Sequence, residues 1–479
     1  GDLAAGYARL FRNVFPPNEK RARPADYSRA KMVAMYDFPD KLYTDVRLEE
    51  VYETLVAYTY DTLDQARERR YRAAFVRVYD GDRWYYAATT DPGEVQSEIN
   101  RLAGYASPND GIERDPVVAQ LTVERNDRED FASSRVDQID LAQKDDALRS
   151  HFAPFQDGSV ASWSPFYKDG HVRKSFFNSK GARLSWDYQK AGLGIGFSLA
   201  GDGDRRFTEA YQNGATRFED LLGDEDTSRE RLDRAKAFVA KADPLGEAKL
   251  PMVLSPTVAG VFAHESFGHK SEADFMIGDE TMRREWAIGS EVGAPMLSIV
   301  DDGSVDGVGF APYDDEGTPA AKTYLIKDGK LSGRLHSCST AADLQEAPTG
   351  NARAVTFEYQ PIVRMTTTYI DAGTQTKDQL IAGVEDGLLV DGLLHGSGLS
   401  TFTIAPTFAY RIKDGAVAEP VQVSVITGSV FETLGKIDGL SDTVELLSFV
   451  RGGCGKGEQF PLPVGFGGPW VRVSELTAH

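Results

Sequence analysis

The segment SPTVAGVFAHESFGHKSEADF, residues 255–275, predicts the helix around which the second half of the chain is organised. Ser255 offers a hydroxyl group as the amino-terminal cap, and Pro256 suits the first helical position, where no backbone N–H is required. Apolar residues then recur on one face of the helix: Val258, Val261 and Phe262. This pattern is typical of an amphipathic helix.

The next residues on the same helix, His264 to His269, have the sequence HESFGH. Its side chains are of the types that form a metal site. The chain has only seven histidines, so two of them at this spacing around a glutamate are not expected by chance. Two neutral imidazoles can bind Zn²⁺, and the adjacent carboxylate of Glu265 can take a proton from a metal-bound water. The alternative is a surface helix that carries the two histidines incidentally.

The five-residue spacing of His264 and His269 predicts a distorted helix. Zinc proteases with histidines at i and i+4 have rings about 40° apart, whereas i and i+5 on an ideal helix are about 140° apart. An i→i+5 hydrogen bond would widen the turn and bring both rings onto one face. We therefore expect a π-type bulge or a kink here, and Gly268 makes that distortion easier.

Cys454 is the best candidate for a third ligand, because a catalytic zinc site usually needs three protein ligands and an open position. It lies in RGGCGKG, residues 451–457, where glycines allow close approach of the backbone and Lys456 would favour the thiolate. The alternative is a thiol without a ligand role. The other cysteine, Cys338, is predicted to be a small core residue.

The charge of the chain limits the classes of partner. Its 479 residues include 53 basic and 73 acidic side chains, a net charge of −20, which opposes binding to nucleic acid or to an anionic membrane surface. No stretch approaches 18 consecutive apolar residues, so we expect no membrane-spanning helix, and residues 1–12 lack the apolar core of a signal peptide. Two cysteines in so long a chain suit a reducing compartment, and we expect a cytoplasmic protein.

The order of the elements predicts an α+β protein of two domains. The N-terminal domain, residues 1–244, begins with an irregular arm over 1–45 and continues as an α/β-type mixture of helices and antiparallel strands. The C-terminal domain, residues 245–479, is predicted to be strand-rich and to carry the metal-site helix. The boundary is placed at Asp243-Pro244, after the last N-terminal helix.

Individual elements are predicted from periodicity and turn residues. The predicted helices span 45–70, 94–103, 137–152, 227–241 (capped by Thr227 or Ser228) and 377–388. Turns are predicted at Asp80-Gly81-Asp82, Asp169-Gly170, Lys180-Gly181, Asp328-Gly329 and Asp414-Gly415. Strands are predicted at 73–79 and 84–89, in a meander over 159–199, and at 323–326, 355–359, 365–370, 401–404, 409–412 and 421–426.

From about residue 250 to the C-terminus the chain resembles the TldD/PmbA family of metalloproteases, historically called modulators of DNA gyrase. HESFGH followed by Glu272-Ala273-Asp274-Phe275 matches the signature helix of that family. Further motifs follow in the family's order: DDEG at 314–317, PTGN at 348–351 with Arg353, RMT at 364–366 through Tyr369, CGK at 454–456 and LPVG at 462–465. The likeness is looser over 174–222, where FNSKG at 177–181 fits.

The resemblance implies a zinc-dependent peptidase with His264, His269 and Cys454 as metal ligands and Glu265 as catalytic base. It also implies a homodimer, or a heterodimer with a PmbA/TldE-like subunit, whose active site lies in a closed chamber and accepts unfolded or short peptides. The PmbA (TldE) branch of the family typically lacks the catalytic residues. This chain has all four, which places it in the TldD-like catalytic branch.

Two other functions stay open at this point. One is a non-catalytic subunit that binds or scaffolds peptides beside an active partner, although the four retained residues oppose it. The other is a regulator of DNA or gyrase, which only the old family name suggests and which the net charge of −20 opposes. Two departures from the family pattern put the substrate preference in question: Thr367 stands where asparagine is expected, and LHGSG at 394–398 replaces a glycine-rich stretch.

Three further side chains have two interpretations each. Glu272 and Asp274 either orient a ligand histidine as neighbouring carboxylates or belong to a solvated helix end. His395, in a Gly/Ser loop, either lines the cleft and polarises a carbonyl or is structural. We also expect main-chain groups of a strand beside the site to hold the peptide by β-strand addition, which would make selection weakly dependent on side chains.

Overall fold

Long antiparallel strands form most of the first half of the chain, in a computed structural model that describes residues 36–201, 206–398 and 400–479. These strands are β1 (Tyr43–Thr59), β2 (Thr62–Tyr79), β3 (Trp84–Thr89), β4 (Arg125–Asp127), β5 (Val160–Asn178), β6 (Arg183–Ala200) and β7 (Arg206–Ala215). They form one seven-stranded sheet in the order β3-β2-β1-β5-β6-β4, and β7 also pairs with β6. β4 runs parallel to β6, and the other pairs are antiparallel.

The helix predicted over 45–70 is wrong, because this segment forms β1 and the start of β2. The two strands pair along their whole length, beginning with Tyr43 opposite Tyr79. Alternate side chains are buried near the end of β1: Tyr52, Thr54, Val56 and Tyr58. The spacing that suggested a helix therefore belongs to a strand, in which residues on both faces are partly buried. Pairing with β5 on the other edge of β1 stabilises this strand.

Turn predictions in the first half have mixed outcomes. The turn at Asp80-Gly81-Asp82 is confirmed between β2 and β3, and that at Lys180-Gly181 is confirmed between β5 and β6. The turn predicted at Asp169-Gly170 is wrong, since both residues lie inside the continuous strand β5. Asp169 is buried there, and its carboxylate lies 2.5 Å from Lys144 Nζ. The Asp-Gly dipeptide, which is typical of turns, therefore lies in a strand here, and its aspartate forms a buried ion pair.

Most helices in the described residues are short. They are α1 (Val95–Ala103), α2 (Pro116–Gln120), α3 (Leu141–Arg149), α4 (Glu225–Lys241), α5 (Pro256–Ala263), α6 (Glu280–Glu285), α7 (Cys338–Leu344), α8 (Lys377–Ala382) and α9 (Val430–Gly435). None of these described helices has both the length and the apolar character that a membrane span requires.

Two of the four helix predictions that remain are confirmed nearly as stated. α1 corresponds to the helix predicted over 94–103, and α4 to that over 227–241, with Asp224 rather than Thr227 or Ser228 as its N-cap. The other two helices are shorter than predicted. α3 covers the middle of the predicted segment, and α8 ends six residues early, because the chain turns into a strand at Asp386.

The second half of the chain is strand-rich, as predicted. Its strands are β8 (Asp243–Pro244), β9 (Ala248–Leu254), β10 (Ile299–Asp302), β11 (Lys322–Lys327), β12 (Lys330–Leu331), β13 (Ala352–Arg353), β14 (Ile362–Val363), β15 (Thr367–Ile370), β16 (Asp386–Gly398), β17 (Thr401–Lys413), β18 (Ala416–Gln422), β19 (Ile426–Ser429), β20 (Ile437–Leu440), β21 (Glu445–Ser448), β22 (Cys454–Lys456), β23 (Gln459–Leu462), β24 (Gly465–Gly468) and β25 (Val471–Ala478). With 23% helix and 44% strand, the chain has the predicted α+β class.

Two larger sheets organise these strands. An eight-stranded sheet has the order β16-β9-β25-β19-β17-β18-β8, with β20 also paired to β25, and β16 pairs with β17 as well. A six-stranded sheet has the order β12-β11-β10-β15-β24-β21. The remaining strands form two small hairpins, β13 with β14 and β22 with β23. The second hairpin carries Cys454.

The strand predictions in this half are partly confirmed. The turns at Asp328-Gly329 and Asp414-Gly415 lie between β11 and β12 and between β17 and β18, as expected. The strands predicted at 323–326 and 365–370 correspond to β11 and β15, those at 401–404 and 409–412 are parts of β17, and that at 421–426 is divided between β18 and β19. The strand predicted at 355–359 is wrong, because the carbonyls of Thr356 and Tyr359 accept hydrogen bonds from the Arg47 guanidinium instead of a neighbouring strand.

The division of the chain at residue 244 stays a prediction. β8, at that position, pairs with β18, so the predicted boundary residues already belong to the eight-stranded sheet. The irregular arm predicted over 1–45 lies outside the described residues up to position 35. Its last three residues, 43–45, belong to β1.

Helix α5 is fixed by its own sequence and by the core around it. Ser255 is its N-cap, and the Ser255 carbonyl accepts the first helical hydrogen bond from the Ala259 N–H at 2.8 Å. Every residue of α5 except Thr257 is buried. The ring of Phe262 meets that of Phe402, on β17, edge to face with centroids 4.9 Å apart. The helix therefore holds the residues that follow it at a fixed place in the core.

Buried ion pairs join the first sheet to the acidic segment DDE, residues 314–316. The Arg77 guanidinium, on β2, lies 2.7 Å from Asp45 Oδ2 and 3.0 Å from Glu316 Oε1. Nearby, Lys174 Nζ of β5 lies 2.5 Å from Asp315 Oδ1. All these side chains are at most 6% exposed. Removal of Arg77 would leave two buried carboxylates, Asp45 and Glu316, without their shared partner.

We predict that Arg77→Met lowers the free energy of unfolding by about 3–5 kcal/mol, because Asp45 and Glu316 would lose their buried partner. Arg72→Met is the matched control, since Arg72 forms an exposed pair with Glu50 whose contribution is about 0–1 kcal/mol. Urea denaturation followed by tryptophan fluorescence measures both variants. Equal losses of stability in the two would contradict a special role for the buried pairs.

Candidate metal centre

The chain continues past α5 as the predicted π turn. Residues His264–Gly268 form this turn, and the His269 N–H donates a hydrogen bond to the His264 carbonyl, five residues back. This i→i+5 bond is the one expected from the spacing, so the π-type bulge is confirmed. A Cβ at position 268 would lie only 2.0 Å from Met365 Sδ, so glycine is needed there for packing as well.

The widened turn brings the three predicted metal ligands together, a group that we call the His/His/Cys cluster: His264, His269 and Cys454. The two imidazole centroids are 5.2 Å apart, and His269 Nε2 lies 3.5 Å from Cys454 Sγ. One donor atom of each residue lies within 4.8 Å of the others. Donors at about 2.0 and 2.3 Å from one tetrahedral Zn²⁺ lie about 3.5 Å apart, so the cluster has the dimensions of a zinc site.

The donor set also suits a metal ion chemically. Imidazole nitrogen and thiolate sulfur are both ligands of Zn²⁺. His264 and Cys454 are buried, and His269 is 15% exposed, so the cluster lies at the edge of the core. The Nδ1 atom of His264 is buried and has no hydrogen-bond partner among the described residues, which is uncommon for a polar atom in a core. A bound ion would fit this combination of buried donors.

The pKa shifts within the cluster favour a thiolate at Cys454, which is the form of this side chain that binds a metal. Burial raises the pKa of Cys454, but the His264 and His269 rings outweigh this effect and lower that pKa to about 5. Burial lowers the pKa of His269, whereas Cys454 and Glu272 raise it, to about 10. In the absence of metal the pair is therefore thiolate and imidazolium, and binding of a cation would release the imidazolium proton.

Glu272 orients the His269 ring. Its side chain is fully buried, and Oε2 lies 3.2 Å from His269 Nδ1. With Nδ1 engaged in this way, Nε2 of the same ring faces Cys454 Sγ. Of the two interpretations of Glu272, burial excludes the solvated helix end and supports the orienting carboxylate.

Lys456 forms ion pairs with two carboxylates, those of Glu272 and Asp274. Its Nζ lies 3.0 Å from Glu272 Oε2 and 2.7 Å from Asp274 Oδ1, and it donates to the Val363 carbonyl at 2.9 Å. The expectation that Lys456 favours the Cys454 thiolate directly is therefore wrong, since the two histidines have that effect. Asp274 contributes by holding Lys456, not by contact with a histidine.

Arg364 holds the hairpin that carries Cys454, a role that our sequence analysis did not assign to it. The β22–β23 hairpin places Cys454 opposite Leu462. The fully buried Arg364 guanidinium donates to the carbonyls of Cys454 at 2.7 Å and Gln459 at 3.2 Å. A signal for this role exists in the apolar segment PIVRM, residues 361–365, because a buried guanidinium needs buried acceptors.

Glu265 lies on the π turn, next to His264. Its side chain is half-buried, and no hydrogen bond or ion pair engages its carboxylate among the described residues. Its Cγ lies 3.9 Å from the position that a Cβ of Gly396 would occupy on β16. The carboxylate is therefore held where the π turn meets β16, with its oxygens free to accept a proton.

The remaining candidate residues are not among the three clustered donors. His395 is on β16, opposite Ala405 of β17, and its side chain is exposed, so a catalytic role for it stays a prediction. Thr367 is buried on β15. Cys338 is buried at the start of α7 in a core that also contains Tyr43, which confirms it as a core residue.

Comparison with known proteins gives consistent matches. Residues 247–479 match the PmbA/TldA metallopeptidase C-terminal domain, and residues 44–106 match the PmbA/TldA metallopeptidase domain 1. A metalloprotease of Methanothermobacter thermautotrophicus is 31% identical over 448 residues, 92% of this chain and 96% of that protein. A zinc metalloprotease TldD homolog of Saccharolobus solfataricus is 26% identical over 448 residues, 91% of this chain and 96% of that protein. A metalloprotease of Synechocystis is 42% identical over 229 residues, 47% of this chain and 49% of that protein.

The fold is shared with a solved structure, that of TldE from Thermococcus kodakarensis, with a TM-score of 0.72 at 15% identity over 91% of this chain and 96% of that chain. The fold and the matched relatives together define a protein of the metalloprotease class, and the name of the Saccharolobus relative supports a metal cofactor. The chain belongs to the PmbA/TldD family of metallopeptidases.

We predict that Glu272→Gln weakens the affinity for Zn²⁺ by about 10- to 100-fold, because the His269 Nδ1–H would lose a charged acceptor and Lys456 a partner. The affinity is measured by competition with a chromophoric chelator under reducing conditions. Glu280→Gln, an exposed position on α6, is the matched control and should bind Zn²⁺ like the wild type. Unchanged affinity in Glu272→Gln would show that this carboxylate has no part in metal binding.

Proposed function

We propose that the chain is a zinc-dependent peptidase of the TldD-like catalytic branch. In this proposal His264, His269 and Cys454 hold the ion, and Glu265 is the catalytic base. The observation that carries it is the approach of three donor atoms to within 4.8 Å, although Cys454 lies far along the chain from the two histidines. The family membership of the chain supports peptide-bond hydrolysis as the reaction.

The residues of the site have separate tasks in this reaction. When bound, Zn²⁺ supplies Lewis-acid chemistry, which polarises the scissile carbonyl and lowers the pKa of water. Glu265 takes a proton from the attacking water and passes it to the leaving amine nitrogen. Glu272 keeps the His269 ring in one orientation, and Arg364 keeps the Cys454 backbone in place. Burial of the surrounding side chains limits the access of bulk water.

Strand β16 offers an edge on which an extended peptide can bind. On one side β16 pairs with β17 along most of its length, but on the other side β9 pairs only with Leu388–Val390. From Asp391 to Gly398 this second edge has no strand partner in the described part of the chain. Gly396, on this part of β16, lies beside Glu265. We propose that an unfolded or short peptide adds here as a strand, so that its main chain is recognised more than its side chains.

The oligomer and the location are further parts of the proposal. The structural neighbour TldE supports a TldD/TldE-type partnership, so we propose that this chain forms a homodimer or a heterodimer with a PmbA/TldE-like subunit. The active site would be enclosed by the dimer, and the protein would act in the cytoplasm. We also propose that residues 1–244 and 245–479 are its two domains, the second carrying the metal.

We predict that zinc content and activity respond differently to the site residues. Elemental analysis of freshly reduced protein should give about one zinc per chain in wild type and Glu265→Gln, and little in Cys454→Ala or His264→Ala. Hydrolysis of unfolded peptides should fall about 10²- to 10⁴-fold in Glu265→Gln, because only the proton transfer is removed. Glu280→Gln, a carboxylate away from the site, is the control and should keep both zinc and activity.

The same experiment decides between the peptidase and the non-catalytic peptide-binding subunit. A wild-type protein that binds no zinc, even after addition of the metal under reducing conditions, would favour the non-catalytic peptide-binding subunit. Zinc at full stoichiometry with activity unchanged in Glu265→Gln would refute the role of this residue as the base.

We predict that main-chain changes to the peptide matter more than side-chain changes. A peptide N-methylated at one position near the scissile bond should lose about tenfold or more in kcat/KM, because a hydrogen bond to the edge of β16 would be lost and the added methyl group would collide with the strand. Substitution of one apolar side chain of the peptide by another should change kcat/KM by less than about threefold. The reverse order of sensitivities would sink the strand-addition model.

A further inference from the structure

A cleft of about 350 Å³ lies outside the His/His/Cys cluster, between one face of the first sheet and loops of the second half of the chain. Its floor consists of side chains from β1, β2, β5 and β6, and Phe310, Arg353 and the segment Phe460–Pro463 line it from the second half. This volume falls in the range that small-ligand sites occupy. The mechanism described above makes no use of it.

Two lysines project from the floor of this cleft. Lys190 on β6 lies opposite Gly170 of β5, which in turn lies opposite Glu53 of β1, so the three residues form one row across the sheet. Lys168 on β5 lies opposite Gly192, one step along the same face. Because the residues opposite both lysines are glycines, neither lysine faces a side chain at its own position on the paired strand.

The carboxylates near these lysines already have partners. Four of them form ion pairs: Glu49 with Arg47 and Lys174, Glu53 with Arg69, Asp169 with Lys144, and Asp315 with Lys174 and Arg47. The other two form hydrogen bonds: Asp314 accepts from three backbone N–H groups, and the exposed Glu358 accepts from the Thr356 hydroxyl. Lys168 and Lys190, by contrast, have no hydrogen bond or ion pair with any described residue. Burial and the nearby charges of Lys168 and Arg353 lower the pKa of Lys190 to about 7, although Glu53 acts in the opposite direction. An anion in the cleft would relieve this repulsion.

The cleft is connected to the metal centre through the hairpin that carries Cys454. Leu462, which lines the cleft, is the residue opposite Cys454 in the β22–β23 pair. The Arg353 guanidinium donates to the carbonyl of Pro463 at 2.9 Å and to that of Met365. Met365 is the residue that packs against Gly268 of the π turn. The cleft and the metal centre are therefore built on the same hairpin, β22–β23.

We infer that this cleft binds a carboxylate of the peptide substrate through Lys190 and Lys168, and that it thereby selects peptides with a free carboxyl terminus or an acidic side chain a few residues from the scissile bond. The inference rests on the proposed peptidase function, because it assumes that the ligand is a peptide. The two sources of the carboxylate share the same chemistry, an oxygen pair that accepts charge-assisted hydrogen bonds from ammonium groups.

Binding is measured without hydrolysis, in the zinc-loaded Glu265→Gln protein, by fluorescence anisotropy. The probes are one amino-terminally labelled hexapeptide of alanine, valine and threonine with a free carboxyl terminus, the same peptide amidated, and the amidated peptide with glutamate near its end. We expect the free-acid peptide to bind about tenfold or more tightly than the amide. Restored affinity of the glutamate-containing amide would identify an acidic side chain as a second source of the carboxylate, and unrestored affinity would assign the preference to the carboxyl terminus.

Variants of the lysine then test the assignment of the site. Lys190→Gln should remove most of the preference for the free acid, and Lys190→Arg should retain it, because arginine keeps the charge. Lys241→Gln is the matched control, since it removes the same charge at an exposed position at the end of α4. Melting temperatures establish that each variant is folded.

The outcomes separate this inference from the proposed function. Equal binding of free acid and amide by the folded parent protein, or a preference that survives Lys190→Gln, would overturn the carboxylate site. If hydrolysis of either peptide by the wild type still depends on zinc and Glu265, the peptidase function stands regardless. A preference for the free acid that is lost in Lys190→Gln and kept in Lys241→Gln supports the site whether or not turnover is fast.

Discussion

The hydrogen bond from the His269 N–H to the His264 carbonyl is the constraint on which the rest of the site depends. On an ideal helix two side chains five residues apart point about 140° away from each other, and they could not share one ion. The i→i+5 bond widens the turn until the two ring centroids are 5.2 Å apart. Buried α5 fixes the turn at its start, and the contact of Gly268 with Met365 fixes its end. A single thiolate delivered by a distant hairpin can then complete the set.

Because the cluster is buried, each of its charges needs an opposite charge nearby. The residues that supply these charges include more than the three donors. Glu272 faces His269, Lys456 faces Glu272, and Asp274 faces Lys456, so an alternating row of charges begins at the ring and ends near the surface. Because Lys456 lies on β22 itself, this row also ties the hairpin to the segment that follows the π turn. Arg364 ties the hairpin through its carbonyl groups. Orientation of the ligands and stability of the fold are therefore supplied by the same contacts.

Features that depend on neighbours in sequence were predictable, and features that depend on distant partners were not. The π turn follows from the spacing of two histidines, and the turn at Lys180-Gly181 follows from local backbone preference. The segment 45–70 has helical spacing but becomes two strands, because β5 and the other half of the hairpin supply partners that no local pattern reveals. Lys456 was assigned to the wrong group for the same reason, since its carboxylate partners lie 182 and 184 positions away. Cys454 was found through its glycine-rich motif and the family resemblance. The role of Arg364 was missed although this residue begins the RMT motif, because the carbonyl groups that it binds lie 90 and 95 positions away.

The first sheet uses its basic residues in two different ways. Arg77 and Lys174 are buried against the acidic segment 314–316 and hold the sheet to the second half of the chain. Lys168 and Lys190, on the same face as Lys174, have no such partner among the residues that the structure describes, although the chain has 73 acidic residues against 53 basic ones and carboxylates line the same cleft. Carboxylates are therefore not scarce in the cleft, but the ion pairs of Glu49, Glu53 and Asp315 are with other cations. Like charges on a half-buried face destabilise the free protein, so the presence of the two lysines is explained better by a bound anion than by folding.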